Sequence, residues 1–168
     1  AWGGGFFFFR EIFREICRAQ AKAVGAAMPE RQCPNGRDKW VLFGSWALVF
    51  AVYVCILMGM LYPGVLTTDS MNQIGQVLSG NYSNHHPYYH TQLIRLCVRL
   101  GMRLFGDINA GVAVYSLFSA LLLSFCFAYV TFTVYQLTRR PVLAGVVLVW
   151  YLAMPFHTAY SVTMWKDV

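Results

Sequence analysis

Apolar residues in this chain gather in long uninterrupted blocks, not in the half-buried stripes of a water-soluble fold. Trp40 to Tyr62 runs 23 residues without a charge. A helix needs about 20 such residues to cross the hydrocarbon of a bilayer, so this block predicts a first span over 40–62. A second is predicted over 108–137, through Leu121-Leu122-Leu123, long enough to cross with tilt or to project at one end. A shorter third covers 142–159. Pro141 suits its first turn, and Pro155 is expected to end or kink it.

The loop 63–107 breaks this pattern. Pro63 and Gly64 end the first helix, and a short helix carrying Met71, Gln73, Ile74 and Val77 follows. Thr67, Thr68, Asp69 and Ser70 are all competent caps for it, with Thr68 or Asp69 the expected N-cap. A further helix is predicted from Tyr89 to Phe105. Leu93, Leu96, Leu100 and Leu104 form an apolar ridge on it, and Arg95, Arg99 and Arg103 a separate basic one. Such a helix lies flat in the membrane interface. Its arginines either attract phosphate and anionic head groups or simply snorkel, and both readings stay open. The expected fold class is therefore all-α: a polytopic membrane protein with three transmembrane helices and an amphipathic interfacial helix in the first outer loop.

Composition sharpens the class. The chain has 168 residues, 58% hydrophobic and only 12% charged, about half the charge of a soluble domain. Cys17, Cys33, Cys55, Cys97 and Cys126 are scattered with no CxxC pair, which supports neither a zinc site nor a redox motif. The net charge of +6 is distributed as a membrane face and not as a nucleic-acid surface. Arg10, Arg14, Arg18, Lys22, Arg31, Arg37 and Lys39 precede the first span, and Arg139 and Arg140 join the second to the third. With three spans these fall on one side, which the positive-inside rule makes cytoplasmic. The expectation is a multi-pass protein of the cell membrane with a cytoplasmic N-terminus. Residues 1–39 form an amphipathic region, with Phe6, Phe9, Phe13 and Ile16 on one face and Arg10, Arg14 and Arg18 on another. It reads as a helix on the leaflet surface, or as a packed or disordered tail.

The same orientation places Asp69, Asp107 and Asp167 outside. Acids near hydrocarbon are costly, so they are functional suspects. Asp69 is ionised at neutral pH and can accept a proton from an acceptor hydroxyl. It can equally cap a helix, orient a sugar or hold a metal. Gln73, Gln76 and Asn84 offer amides to sugar hydroxyls. His85, His86 and His90 offer phosphate or sugar contacts, and His86 with His90 is the better-spaced pair. At the chain's other polar end, Trp165 marks an interface, Lys166 can meet a phosphate oxygen, and Asp167 can hold a cation or orient that lysine. The cofactor stays unknown. A divalent cation such as Mg or Mn, on Asp69 and Asp167, is the open alternative.

Three stretches carry a resemblance. They are Tyr62-Pro63-Gly64 with Asp69-Ser70, Gln73 and Gln76; Ser83-Asn84-His85-His86-Pro87 through Thr91; and Pro155 through Tyr160-Ser161 with Trp165-Lys166-Asp167-Val168. Over about residues 40–168 the chain resembles the N-terminal part of a bacterial multi-span membrane group related to the GT-C glycosyltransferases. That resemblance implies transfer of a sugar from a polyprenyl-phosphate-linked donor at the outer face. It makes Asp69 the catalytic or acceptor-positioning acid, and Lys166 or His86 the donor-phosphate contact. GT-C enzymes have many more spans, so the resemblance also implies a fragment whose missing transmembrane helices would complete the pocket. A non-catalytic scaffold or transporter fragment is the competing expectation, since Gly111, Ser116 and Ser119 suit helix packing equally well.

Overall fold

The computed structural model describes residues 36–83 and 87–164. The amphipathic region expected within 1–35 lies outside the described residues.

Among the described residues, six helices and one pair of short strands follow in order: α1 Gly36–Met60, β1 Val65–Leu66, α2 Thr68–Ser79, α3 Tyr88–Phe105, α4 Ile108–Thr138, α5 Pro141–Ala153, α6 Pro155–Ser161 and β2 Thr163–Met164. Two of them, within Asp38–Met60 and Ile108–Thr138, are long and apolar enough to cross a bilayer. The α5–α6 pair passes the same criterion together, bent by 65° at its break. Among the described residues, helices able to cross number two, or three when that bent pair is taken as one. The expected all-α class holds for the bulk of the chain. The β1–β2 pair is the addition, since two-residue strands leave no alternation in a sequence.

The bend has a chemical cause. Pro155 has no N–H, so the Tyr151 carbonyl loses the donor that would come four residues later. Tyr53 Oη on α1 donates to that carbonyl at 3.3 Å. Tyr53 is fully buried, and this bond ties α1 to the broken helix. Phe127 stacks on Tyr151 at 4.1 Å between ring centroids, and His157 meets both rings edge-on.

Small side chains let the helices approach, as membrane helices need where burial in lipid supplies no drive between them. Val49 and Tyr53 of α1 meet Ala120 of α4 in one buried cluster. Where α3 turns into α4 the backbones nearly touch. A Cβ on Gly101 would run into Gly111 and come 2.7 Å from the Ala110 carbonyl carbon, and one on Gly111 would come 2.6 Å from Val98 Cα. The face of α3 that packs is thus Thr91, Ile94, Cys97, Val98 and Gly101. The predicted leucine ridge is not that face: Leu96, Leu100 and Leu104 are exposed. An apolar ridge in a membrane protein points to lipid as readily as to protein, and the small residues here mark the contact.

α1 and α4 run in opposite directions, and a polar clamp joins them at one end. Asp38 is 2% exposed. It accepts from Gln136 Nε2 at 2.7 Å and from Arg139 Nη1 at 3.0 Å. Arg139 is also the C-cap of α4, in the left-handed conformation at φ 54°. This Asp38 end lies opposite the end that carries α2, α3, β1 and β2.

Candidate functional site

The second end of the bundle is built around a turn. After α1 the chain passes a cis Tyr62–Pro63 bond, and Gly64 takes φ 131°. Only glycine adopts that conformation freely. A Cβ at Gly64 would also run into Ser116 Oγ and come 3.1 Å from the Val162 carbonyl oxygen. The chain then enters β1, which pairs in parallel with β2, Val65 opposite Thr163 and Leu66 opposite Met164. Val162 supplies the hinge of this clasp. Its carbonyl accepts from Val65 N–H at 3.0 Å and from Ser116 Oγ at 3.2 Å.

Asp69 sits at the second position of α2, half-buried. The N-cap is Thr67, not Thr68 or Asp69 as the sequence led one to expect. Thr67 Oγ1 accepts from Ser70 N–H at 3.2 Å, and Ser70 Oγ accepts from Thr67 N–H at 3.1 Å. This reciprocal capping box leaves the Asp69 carboxylate out of the cap. Ser70 Oγ also donates to the Met164 carbonyl. The turn carrying Asp69 is thereby fixed to the end of β2, the last described residue before Trp165. Ser70 is legible in the sequence as a cap and Ser116 as a packing residue, but their bonds to the Met164 and Val162 carbonyls are not. Their partners lie far along the chain, and no local pattern announces them.

Gln73, on the same helix, is 1% exposed, and its Nε2 has no hydrogen-bond partner among the described residues. It is buried beside Ser70 and Ile74. Gln76 is engaged with the loop that follows: Nε2 donates to Ser83 Oγ at 3.0 Å and Oε1 accepts from Ser83 N–H at 3.3 Å. Its amide anchors the segment leading toward Asn84, His85 and His86, which lie outside the described residues. His90 Nε2 is 2.8 Å from Tyr115 Oη, a contact between α3 and α4. Arg95 reaches over the Tyr82 ring at 5.9 Å, so the first of the three predicted ridge arginines holds the loop. Asp107 is the N-cap of α4, its Oδ1 accepting from Asn109 N–H at 3.1 Å. Trp165, Lys166 and Asp167 lie outside the described residues.

Beneath these groups, Ile74, Ile94, Cys97, Val98, Val112, Tyr115 and Met164 form a buried apolar floor. Burial pushes the Cys97 thiol above its ordinary value. Among the described residues no group of three or more His, Cys, Asp or Glu is assembled that could hold a metal ion.

Taken together, fold and site define a mostly helical protein with bilayer-length helices and a clasped polar turn at one end. No family model matches the chain, and no curated protein or solved structure matches it.

Proposed function

We propose that the full-length protein transfers a sugar from a polyprenyl-phosphate-linked donor to an acceptor hydroxyl, with Asp69 as the general base. The observation that carries this reading is the β1–β2 clasp with its Ser70–Met164 bond. Parallel pairing sends both strands out in the same direction. One leads within three residues to Asp69, the other within three to Asp167. The Ser70–Met164 bond holds the turn that carries Asp69 against the end of β2.

In this reading the acceptor oxygen attacks the anomeric carbon as Asp69 takes its proton. The bond from that carbon to the donor phosphate oxygen breaks, and the electron pair leaves with the phosphate. Inversion at carbon follows from a single displacement. Lys166 or His86 would meet the charge developing on the leaving phosphate, and preorganised cations there act in a poorly solvated site. Gln73 Nε2, buried with no hydrogen-bond partner among the described residues, supports a polar ligand held against α2. The outer face of the cell membrane, with the N-terminus cytoplasmic, is the location the basic residues favour. Further helices of the same protein would close the pocket.

The test is transfer by the full-length protein in lipid, with a panel of polyprenyl-phosphate sugars. Asp69→Asn should lower turnover by about 10²–10⁴-fold, the usual worth of a general base, with unchanged expression and melting. The competing scaffold reading is favoured by where Asp69 sits, in the first turn of α2, where a carboxylate helps any helix. On that reading the wild-type protein transfers no sugar from any donor in the panel, and Asp69→Asn lowers stability by about 0.3–1 kcal/mol; transfer that Asp69→Asn leaves unchanged would remove Asp69 as the base.

A further inference from the structure

α3 is divided lengthwise into three stripes. Thr91, Ile94, Cys97, Val98 and Gly101 are buried. Leu96, Leu100 and Leu104 are exposed, and so are Arg99 and Arg103. Each arginine precedes a leucine by one residue, a step of about 100° around a helix of 3.6 residues per turn. One side of α3 thus meets protein, a second is bare and apolar, and a third is bare and cationic. No acid occurs between Tyr88 and Phe105. Among the described residues no carboxylate pairs with Arg99 or Arg103, and Asp107, the next acid along the chain, caps α4.

The depth of α3 follows from the length of α4. Asp38 at the start of α1 meets Gln136, and the turn after α1 sets Gly64 against Ser116. α1 therefore accompanies α4 from Gln136 to Ser116. That stretch is about 30 Å long at 1.5 Å per residue, the thickness of a bilayer's hydrocarbon. The first two turns of α4, residues 108–115, continue beyond it. α3 packs on this overhang: Gly101 and Val98 lie against Gly111, and His90 Nε2 is 2.8 Å from Tyr115 Oη. With Ser116 to Gln136 across the hydrocarbon, α3 lies at the depth of the head groups.

We propose that α3 docks on anionic phospholipid of the adjoining leaflet, with Arg99 and Arg103 on the phosphates and the leucine stripe against the acyl chains. Unpaired guanidinium groups suit phosphate in charge and in geometry. A zwitterionic lipid brings its own ammonium, which competes with the arginines for that phosphate. A protein covering both bare stripes would have to displace lipid from the depth at which they lie. The inference does not rest on the sugar-transfer reading.

Photo-cross-linking of the full chain tests this, in liposomes of equimolar phosphatidylglycerol and phosphatidylcholine with identical chains. With p-benzoylphenylalanine in place of Leu100, phosphatidylglycerol adducts should exceed phosphatidylcholine adducts by about twofold to fivefold at low salt. Salt at about 1 M should lower that ratio. The pair Arg99→Gln, Arg103→Gln should bring it toward one, and the pair Arg99→Lys, Arg103→Lys should keep it above one. The same cross-linker in place of Leu122, exposed within the membrane-spanning part of α4, should capture both lipids equally in every variant. Equal capture at Leu100 in the wild-type background would overturn the proposal and leave the arginines as snorkelling side chains. So would adducts at Leu100 to a second copy of the chain, or none to lipid.

Discussion

At the scale of single residues, the structure turns on polar atoms whose partners are chosen by what the backbone lacks. Tyr53 is the clearest case, since its hydroxyl answers the carbonyl that Pro155 leaves without a donor. Tyr53→Phe should cost about 0.5–1.5 kcal/mol, because the half-buried Tyr151 carbonyl then loses this donor. Thermal unfolding in detergent checks it, and an unchanged midpoint would show that carbonyl is satisfied otherwise. Cys97 gives a pH dependence of definite sign. Its thiol is raised by burial, so the folded state favours the protonated form. Its contribution to stability is full below the pKa of the unfolded thiol. It is lost as pH rises from there through the raised folded value. Stability measured between pH 7 and 10 should therefore fall less in Cys97→Ala than in wild type. Some of this was readable beforehand and some was not. Pro155 announced a break by its chemistry alone. Thr67-Thr68-Asp69-Ser70 offered four capping side chains in a row, and only three-dimensional placement selects Thr67.

At the scale of elements, length and apolarity located α1, α4 and the bent α5–α6 pair within a few residues, because a bilayer's thickness fixes how long an apolar run must be. They could not say which side of α3 meets protein. That helix carries a leucine ridge, an arginine ridge and a third stripe of Thr91, Cys97 and Gly101, and hydropathy favours the wrong one. The same substitution should thus have opposite signs at two helical glycines. Gly75 is open around its Cβ position, and Gly75→Ala should stabilise α2 by about 0.4–1 kcal/mol. Gly101→Ala forces α3 from α4 and should cost about 1–3 kcal/mol. Both are read as shifts in the unfolding midpoint. A Gly101→Ala protein as stable as wild type would mean the two backbones do not cross closely.

At the scale of the whole molecule, the surface is what lipid requires. Trp40, Met60 and Val142 are 78%, 81% and 75% exposed, alongside many other large apolar side chains, a burden that water would not tolerate. Cys126 is exposed near the middle of α4, and Cys55 is exposed within the apolar run of α1, five residues before its end. In liposomes both should resist a charged maleimide yet react with a lipid-soluble one. Rapid labelling by the charged reagent would refute membrane embedding of these helices. Sequence alone placed Asp69 and the Trp165-Lys166-Asp167 end on one side by counting crossings. The β1–β2 pairing, which brings Val65-Leu66 beside Thr163-Met164, left no trace in composition because two-residue strands carry no periodicity.

That clasp also has a consequence for biogenesis. Ser70 and its acceptor on Met164 are separated by 94 positions. A ribosome adding about 5–20 residues per second needs roughly 5–20 s to make the difference. Through that interval the segment around Asp69 has been translated while the strand that fastens it has not. An insertion intermediate stalled in that window should leave this segment open to protease, and release of the arrest should close it.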